Sequence, residues 1–117
     1  MKEPTATLYL ACGKIAAGKS TLCDELARRP RVVLIREDEW MAHLFRQELR
    51  SVADYAEYSQ RLRNALTSHV VLLLREGVSV VLDFPANTLK FRRWMRELID
   101  QSGAQHELHF LDVSDEV

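Results

Sequence analysis

Residues 13–20 read GKIAAGKS, two glycines with four residues between them, then a lysine and a hydroxyl. The segment follows an apolar, β-rich run, TATLYLAC (residues 5–12), and precedes a helical pattern over residues 19–29 that stops at Pro30. A glycine-rich turn between a strand and a helix sets a direction, because the chain leaves the end of a strand, turns tightly and enters a helix. One strand and one helix cannot enclose a core, so further strands must lie beside the first.

The rest of the chain supplies them. VVLIR (residues 32–36), VSVVLDF (78–84) and HELHFLDV (106–113) read as the second, third and fourth strands. Helical patterns fall between them over residues 38–49 and 54–76, and a last helix is capped by Asn87 and closed by Gly103. This alternation predicts an α/β fold, a parallel sheet with helices on its faces. VSVVLDF is nearly continuous apolar sequence ending in aspartate, as a buried central parallel strand would be. In the longest helix Tyr55, Tyr58, Leu62, Leu66, His69, Val70 and Leu73 share one face; Asp54 with Glu57 resembles a capping pair at its start, and Gly77 suits its end. In the last helix Phe91, Trp94, Met95, Leu98 and Ile99 are expected to face the sheet. With no repeat, linker or low-complexity tract, a single domain over residues 1–117 is expected.

Composition mainly excludes. A net charge of −1 offers no general electrostatic attraction to nucleic acid or to an anionic membrane, so a nucleic-acid partner would need a local basic site. MKEPTATLYL lacks the long uncharged stretch of a signal peptide, and the longest apolar run, residues 70–74, cannot span a bilayer; the chain reads as cytoplasmic. Cys12 and Cys23 lack CxxC spacing and are expected to be reduced packing residues.

GKIAAGKS matches G-x-x-x-x-G-K-[ST] without a gap. In that pattern backbone N–H groups turn inward around a β-phosphate, Lys19 reaches the β- and γ-phosphates, the Ser20 hydroxyl binds Mg²⁺, and the following helix presents its positive end. The candidate nucleotide-binding residues are therefore Gly13, Lys14, Ile15, Ala16, Ala17, Gly18, Lys19, Ser20 and Thr21. Parallel sheets bind ligands beyond the carboxyl ends of their strands, where Asp38 and Asp83 stand after the second and third strands. One carboxylate there could accept the proton of an attacking hydroxyl and another could anchor Mg²⁺ through its water shell. Asp38 also suits a plain helix N-cap among its acidic neighbours. Asp83 ends a buried strand and needs a partner, leaving metal shell and acceptor contact both open.

Other residues have simpler readings. His106 and His109 point to opposite faces of a strand, so they form no metal pair and are expected to be packing or surface groups. Arg28, Arg29 and Arg31 flank Pro30 in what is expected to be a solvated turn, and Arg92 and Arg93 are expected on a solvated helix face, with contact to an anionic acceptor the alternative. Trp40 and Trp94 are expected in the core.

GKIAAGKST, REDEW and VVLDFPANTLKFRRWMRELIDQSGAQHELHFLD together resemble the small bacterial P-loop kinase-like proteins of the zeta-toxin, chloramphenicol phosphotransferase and polynucleotide 5′-kinase group, over essentially the whole chain. The resemblance implies a three-layer P-loop NTPase fold of the nucleoside-kinase type with strand order 2-3-1-4. It also implies ATP with Mg²⁺ and transfer of the γ-phosphoryl group to a hydroxyl of a small-molecule acceptor. The group's general base falls on Asp38 and its strand-three aspartate on Asp83. Where polynucleotide kinases have a substrate-positioning arginine three residues after the base, this chain has Met41, against a polynucleotide 5′-end as substrate. The group continues into an arginine-bearing lid helix and a last strand, so a chain ending at Val117 is expected to be incomplete relative to it. The alternative is a nucleotide-binding module without phosphotransfer, or a weak ATPase.

Overall fold

Along β1 (Thr7–Gly13) the side chains alternate between two separate cores. Leu8 and Leu10 point into one, with Ile35, Val80 and Leu82 from neighbouring strands; Tyr9 and Ala11 point into the other, with Val81. Successive side chains on a strand face opposite ways, so a sheet this apolar on both faces must be covered on both. A computed structural model of the chain describes residues 6–13, 18–84 and 88–111. There, α1 (Lys19–Ala27) covers one face through Cys23 and Leu26. The other face lies under α3 (Val52–Arg75), α4 (Leu89–Ser102) and Met41 of α2 (Glu37–Phe45). The result is three layers, helix, sheet, helices.

The strands β2 (Val32–Arg36), β3 (Ser79–Asp83) and β4 (Gln105–Leu111) join β1 in a parallel sheet of order β2-β3-β1-β4, as expected. β3 lies between β2 and β1, and its Val80, Val81 and Leu82 have no exposed surface. In register, Arg36 stands beside Asp83 and Asp83 beside Ala11. One row at the carboxyl edge therefore carries a cation, a carboxylate and the residue two before Gly13.

Several local expectations are corrected. The cap of α3 is Ser51, three residues before the expected Asp54: its hydroxyl accepts from the Asp54 N–H at 3.1 Å while the Asp54 carboxylate accepts from the Arg50 N–H at 3.2 Å. The cap of α4 is Thr88, accepting from the Phe91 N–H at 3.1 Å; Asn87 lies outside the described residues. Ser, Thr, Asn and Asp are near-equivalent caps, so neighbouring candidates are not separable by type. Gly103 closes α4 as expected, in the left-handed conformation (φ 70°) that suits glycine. On α3, His69 is exposed while Ser59, Arg63, Val71 and Leu74 are buried; the stripe is broader and includes polar residues. Trp94 is buried, but Trp40 is 40% exposed, on the outer side of α2. Cys23 is buried as a free thiol; the side chain of Cys12 lies outside the description. The arginines around Pro30 are exposed, yet Arg31 (φ 60°) donates to the carbonyls of Gly77 and Glu76, tying the start of β2 to the end of α3.

Leu98 of α4 has no exposed surface, whereas Leu72 of α3 is 58% exposed. Leu98→Ala is expected to lose about 2–5 kcal/mol of unfolding free energy, and Leu72→Ala to stay within about 0.5 kcal/mol of the parent, both read from urea denaturation.

Candidate functional site

The turn between β1 and α1 ends at Gly18, whose φ of 83° lies in the left-handed region. A Cβ there would meet nothing within 4 Å, so the glycine is needed for backbone conformation rather than for space. Helix α1 starts immediately, with the Leu22 N–H donating to the Gly18 carbonyl at 3.1 Å. Lys19 is thereby held in its first turn at the carboxyl edge of the sheet.

Lys19 is 6% exposed, and its Nζ lies 2.8 Å from Asp83 Oδ1. The second oxygen of Asp83, also 6% exposed, accepts from Arg36 Nε at 3.2 Å. Asp83 shares the strand face of Val81, so the pleat aims it at the start of α1, and the register row brings Arg36 alongside. Arg36 also donates to Asp24 Oδ1 of α1 at 2.6 Å and approaches Glu39 at 3.6 Å. The Asp24 hydrogen bond is the main reason its guanidinium is held above its ordinary value, with burial opposing. A buried carboxylate between two cations avoids the several kcal/mol an unpaired buried charge would cost.

Beneath this cluster the Cys23 thiol is pushed up to about 12, by burial first and then by the Asp83 carboxylate, with Arg36 and Lys19 opposing. Cys23 is a packing thiol here, not a nucleophile.

Asp38 is placed differently. It is the second residue of α2, exposed, with Oδ1 accepting from the Glu39 N–H at 2.9 Å; the N-cap position is Arg36. Met41, on the same helix, turns into the core and is 1% exposed. Thr21 is exposed on α1, and Gly13 pairs with Leu111 at the end of β1. Lys14, Ile15, Ala16 and Ala17 lie outside the described residues, as does the side chain of Ser20.

Two groups escaped sequence reasoning. Arg36 carried a signal, since a cation ending a strand beside Asp83 has a natural partner once β2 neighbours β3. Glu37, 3% exposed, is the other. Its carboxylate accepts from the Tyr55 hydroxyl and from Ser59 Oγ, the latter at 2.6 Å, and Arg63 Nη1 donates to Ser59 Oγ at 2.8 Å. Tyr55, Ser59 and Arg63 recur every four residues on α3, a polar row inside an apolar face. Burial and Glu37 both hold the Tyr55 phenol well above its ordinary range, so it remains a donor. Glu37, Tyr55, Ser59 and Arg63 line a cavity of about 350 Å³ whose apolar wall includes Phe84 and Phe91. Each strand end therefore serves two neighbours: Arg36 and Asp83 face Lys19, and the next residues, Glu37 and Phe84, face the cavity.

A family model described as an AAA domain matches residues 8–117. No curated protein sequence matches the chain. Among solved structures, a chain of the Pnkp1/Rnl/Hen1 complex aligns with a TM-score of 0.73 at 20% identity, over 99% of this chain and 38% of that one. A candidate kinase of Chloroflexus aurantiacus aligns at 0.76 and 19% identity, over 94% of this chain and 61% of that one. The APS kinase CysC of Mycobacterium tuberculosis, in complex with AMPPNP and APS, aligns at 0.64 and 22% identity, over 97% of this chain and 66% of that one. The chain spans 38% and 61% of the first two. At these identities the likeness is one of fold, that of P-loop kinases. No helix among the described residues is long and apolar enough to cross a membrane.

Asp83→Asn leaves Lys19 and Arg36 without their shared counter-charge and is expected to destabilise the chain by about 3 kcal/mol in urea unfolding. Lys19→Met with Asp83→Leu is expected to lose less, because no buried charge is left unpaired. Cys23, which has no exposed surface, should resist alkylation at pH 9 in the folded chain and react at pH 9 once unfolded in urea, followed by mass spectrometry of its peptide. Because the folded thiol is raised from 9.0 to about 12, its contribution to stability is complete below pH 9 and is lost as pH rises through that window.

Proposed function

The chain belongs to the AAA domain family matched over residues 8–117, and from that premise we propose that it binds ATP with Mg²⁺ and moves the γ-phosphoryl group to a hydroxyl of a small-molecule acceptor. The observation that carries this reading is the Lys19–Asp83–Arg36 cluster at the carboxyl edge of a 2-3-1-4 parallel sheet, whose lysine is that of a complete G-x-x-x-x-G-K-S segment. The fold shared with P-loop kinases supports it, as does the crevice position that parallel sheets give their ligands. Within the group of P-loop kinases, the residues resemble the zeta-toxin and chloramphenicol phosphotransferase branch.

In this reading the 13–21 segment wraps the phosphates, and Lys19 turns from Asp83 to the β- and γ-phosphates as the nucleotide arrives. Asp38, exposed just past the end of β2, is reachable by an acceptor hydroxyl and takes its proton. The acceptor oxygen forms a bond to the γ-phosphorus, the bond from that phosphorus to the β–γ bridging oxygen breaks, and ADP leaves with the electron pair. Arg36 holds Asp83 in place. Ser20 and Asp83 suit Mg²⁺: each Asp83 oxygen keeps a lone pair beyond its bond to Lys19 or Arg36, enough to accept from a metal-bound water. When bound, Mg²⁺ neutralises charge on the β- and γ-phosphate oxygens.

Isothermal titration with ATP and Mg²⁺ is expected to show binding that Lys19→Ala removes. Asp38→Ala is expected to keep that binding and to lower acceptor-dependent ADP formation by about 10²–10⁴-fold in a screen of hydroxyl-bearing metabolites. No nucleotide binding sensitive to Lys19→Ala would sink the reading. Binding without ADP formation on any acceptor would leave a nucleotide-binding module.

A further inference from the structure

Among the described residues β4 is an outermost strand of the sheet, and Gln105, His106, Glu107 and Leu108 are exposed, two on each of its faces. An unpaired strand edge presents a row of N–H and C=O groups, which proteins guard by shortness, proline or clustered charge. The opposite edge is guarded in this way: β2 has five residues, begins after Pro30 and Arg31 and ends in Arg36. β4 has seven, QHELHFL, without proline, lysine or arginine.

Pairing with β1 sets which backbone groups face outward. The Gln105 N–H donates inward, to the Ala6 carbonyl, at 3.2 Å. Backbone groups alternate sides along a strand, so those of Glu107 and His109 also turn to β1, while those of His106, Leu108 and Phe110 turn to the open side. Leu108 is the middle residue of β4. A two-fold axis at Leu108 therefore pairs two copies of β4 antiparallel over their whole length. Leu108 meets the partner's Leu108, and His106 meets the partner's Phe110, both as hydrogen-bonded pairs. The same register sets Glu107 opposite the partner's His109, in the non-hydrogen-bonded kind of pair whose side chains lie closer.

Neighbouring registers lose one or more of these matches. An axis at Glu107 sets Glu107 against the partner's Glu107 and needs backbone groups already engaged with β1. An axis at His106 or at Phe110 keeps outward backbone groups but shortens the overlap and separates Glu107 from the partner's His109.

The side chains suit the central register on both faces. Glu107 and His109 share one face, with His109 Nε2 3.2 Å from Glu107 Oε1, and their side chains remain 56% and 32% exposed. Each has a second polar atom for the other copy, so the pairing sets two carboxylates and two imidazoles in alternation. On the other face Leu108 is 56% exposed, beside a groove of about 560 Å³ lined by Leu10, Met95 and Ile99. Two Leu108 side chains meeting at the axis cover apolar surface that each copy alone leaves in water. Arg92 and Arg96 on the rim of that groove are exposed, and side chains of their length keep their charge in water.

We propose that β4 is the docking surface for a second copy of this chain, joined edge to edge about a two-fold axis at Leu108 into one sheet continuous through both copies. The pairing needs neither nucleotide nor acceptor.

The test is sedimentation velocity of the full chain without nucleotide, which is expected to show a dimer that dissociates on dilution. Leu108→Arg sets two like charges at the axis and is expected to give a monomer. A variant carrying both Glu107→Lys and His109→Lys, and a second carrying His109→Glu, each place like charges opposite one another. Each alone is expected to weaken the dimer by at least about tenfold, and an equimolar mixture to restore a mixed dimer. Melting curves establish that the variants are folded. A parent chain still monomeric at about millimolar concentration overturns the proposal, as does a dimer indifferent to Leu108→Arg. Two folded charge variants that weaken alone but fail to associate when mixed overturn the register. If the variants fail to fold, hydrogen exchange of the parent decides: the His106 and Leu108 amides are expected to slow as concentration rises. Slow exchange at every concentration in a monomer gives the edge to another segment of the same chain, and fast exchange in a dimer gives the contact to another face; either overturns the proposal.

Discussion

Asp83 is a carboxylate at the end of the most buried strand of the sheet, and the rest of the carboxyl edge is arranged around its charge. Each of its oxygens meets a cation, Lys19 at 2.8 Å and Arg36 at 3.2 Å. That pairing requires β3 to lie between β1, which leads through the turn to Lys19, and β2, which ends in Arg36. If β2 paired directly with β1, the register row linking Arg36 to Asp83 would be lost. The strand order and the ion cluster are therefore two descriptions of one constraint, a buried charge that must be compensated.

The pleat then separates two environments by a single residue. Asp83 shares a strand face with Val81 and looks toward α1; Phe84, one residue on, packs with Phe91 and Trp94 on the opposite side. At the end of β2, Arg36 turns to Asp83 and Asp24, while Glu37 turns to Tyr55 and Ser59 on α3. The ion cluster and the cavity thus lie on opposite faces at the sheet edge, positioned by rigid strands rather than by loops.

The long-range order was legible because it rests on strong, redundant signals. VSVVLDF has the continuous apolar character of a buried central strand, and GKIAAGKS lies between a strand pattern and a helix pattern. Local detail was less so. Ser51 and Thr88 cap helices where Asp54 and Asn87 were expected, because several small polar residues stand within reach of each helix start and only the path of the chain chooses among them. Trp40 faces outward although tryptophans usually do not, since the apolar side of so short a helix is already filled by Met41. Ser59 and Arg63 were passed over on α3 because a periodicity count admits only apolar residues to the buried face.

By itself the sequence determined the class of fold, the strand order through the resemblance it carries, and the presence of a lysine and an aspartate that had to find partners. The class of fold follows from hydrophobic period and glycine placement, which are local and read directly from the chain, whereas the strand order came only from the resemblance. Only the tertiary structure decided which partners they found, that Glu37 rather than Asp38 is the buried acid after β2, and that Tyr55, Ser59 and Arg63 converge on it. The physical reason is that a polar side chain is buried only where distant residues meet its hydrogen bonds, and such meetings across 18 to 22 positions of sequence exist only in the folded chain.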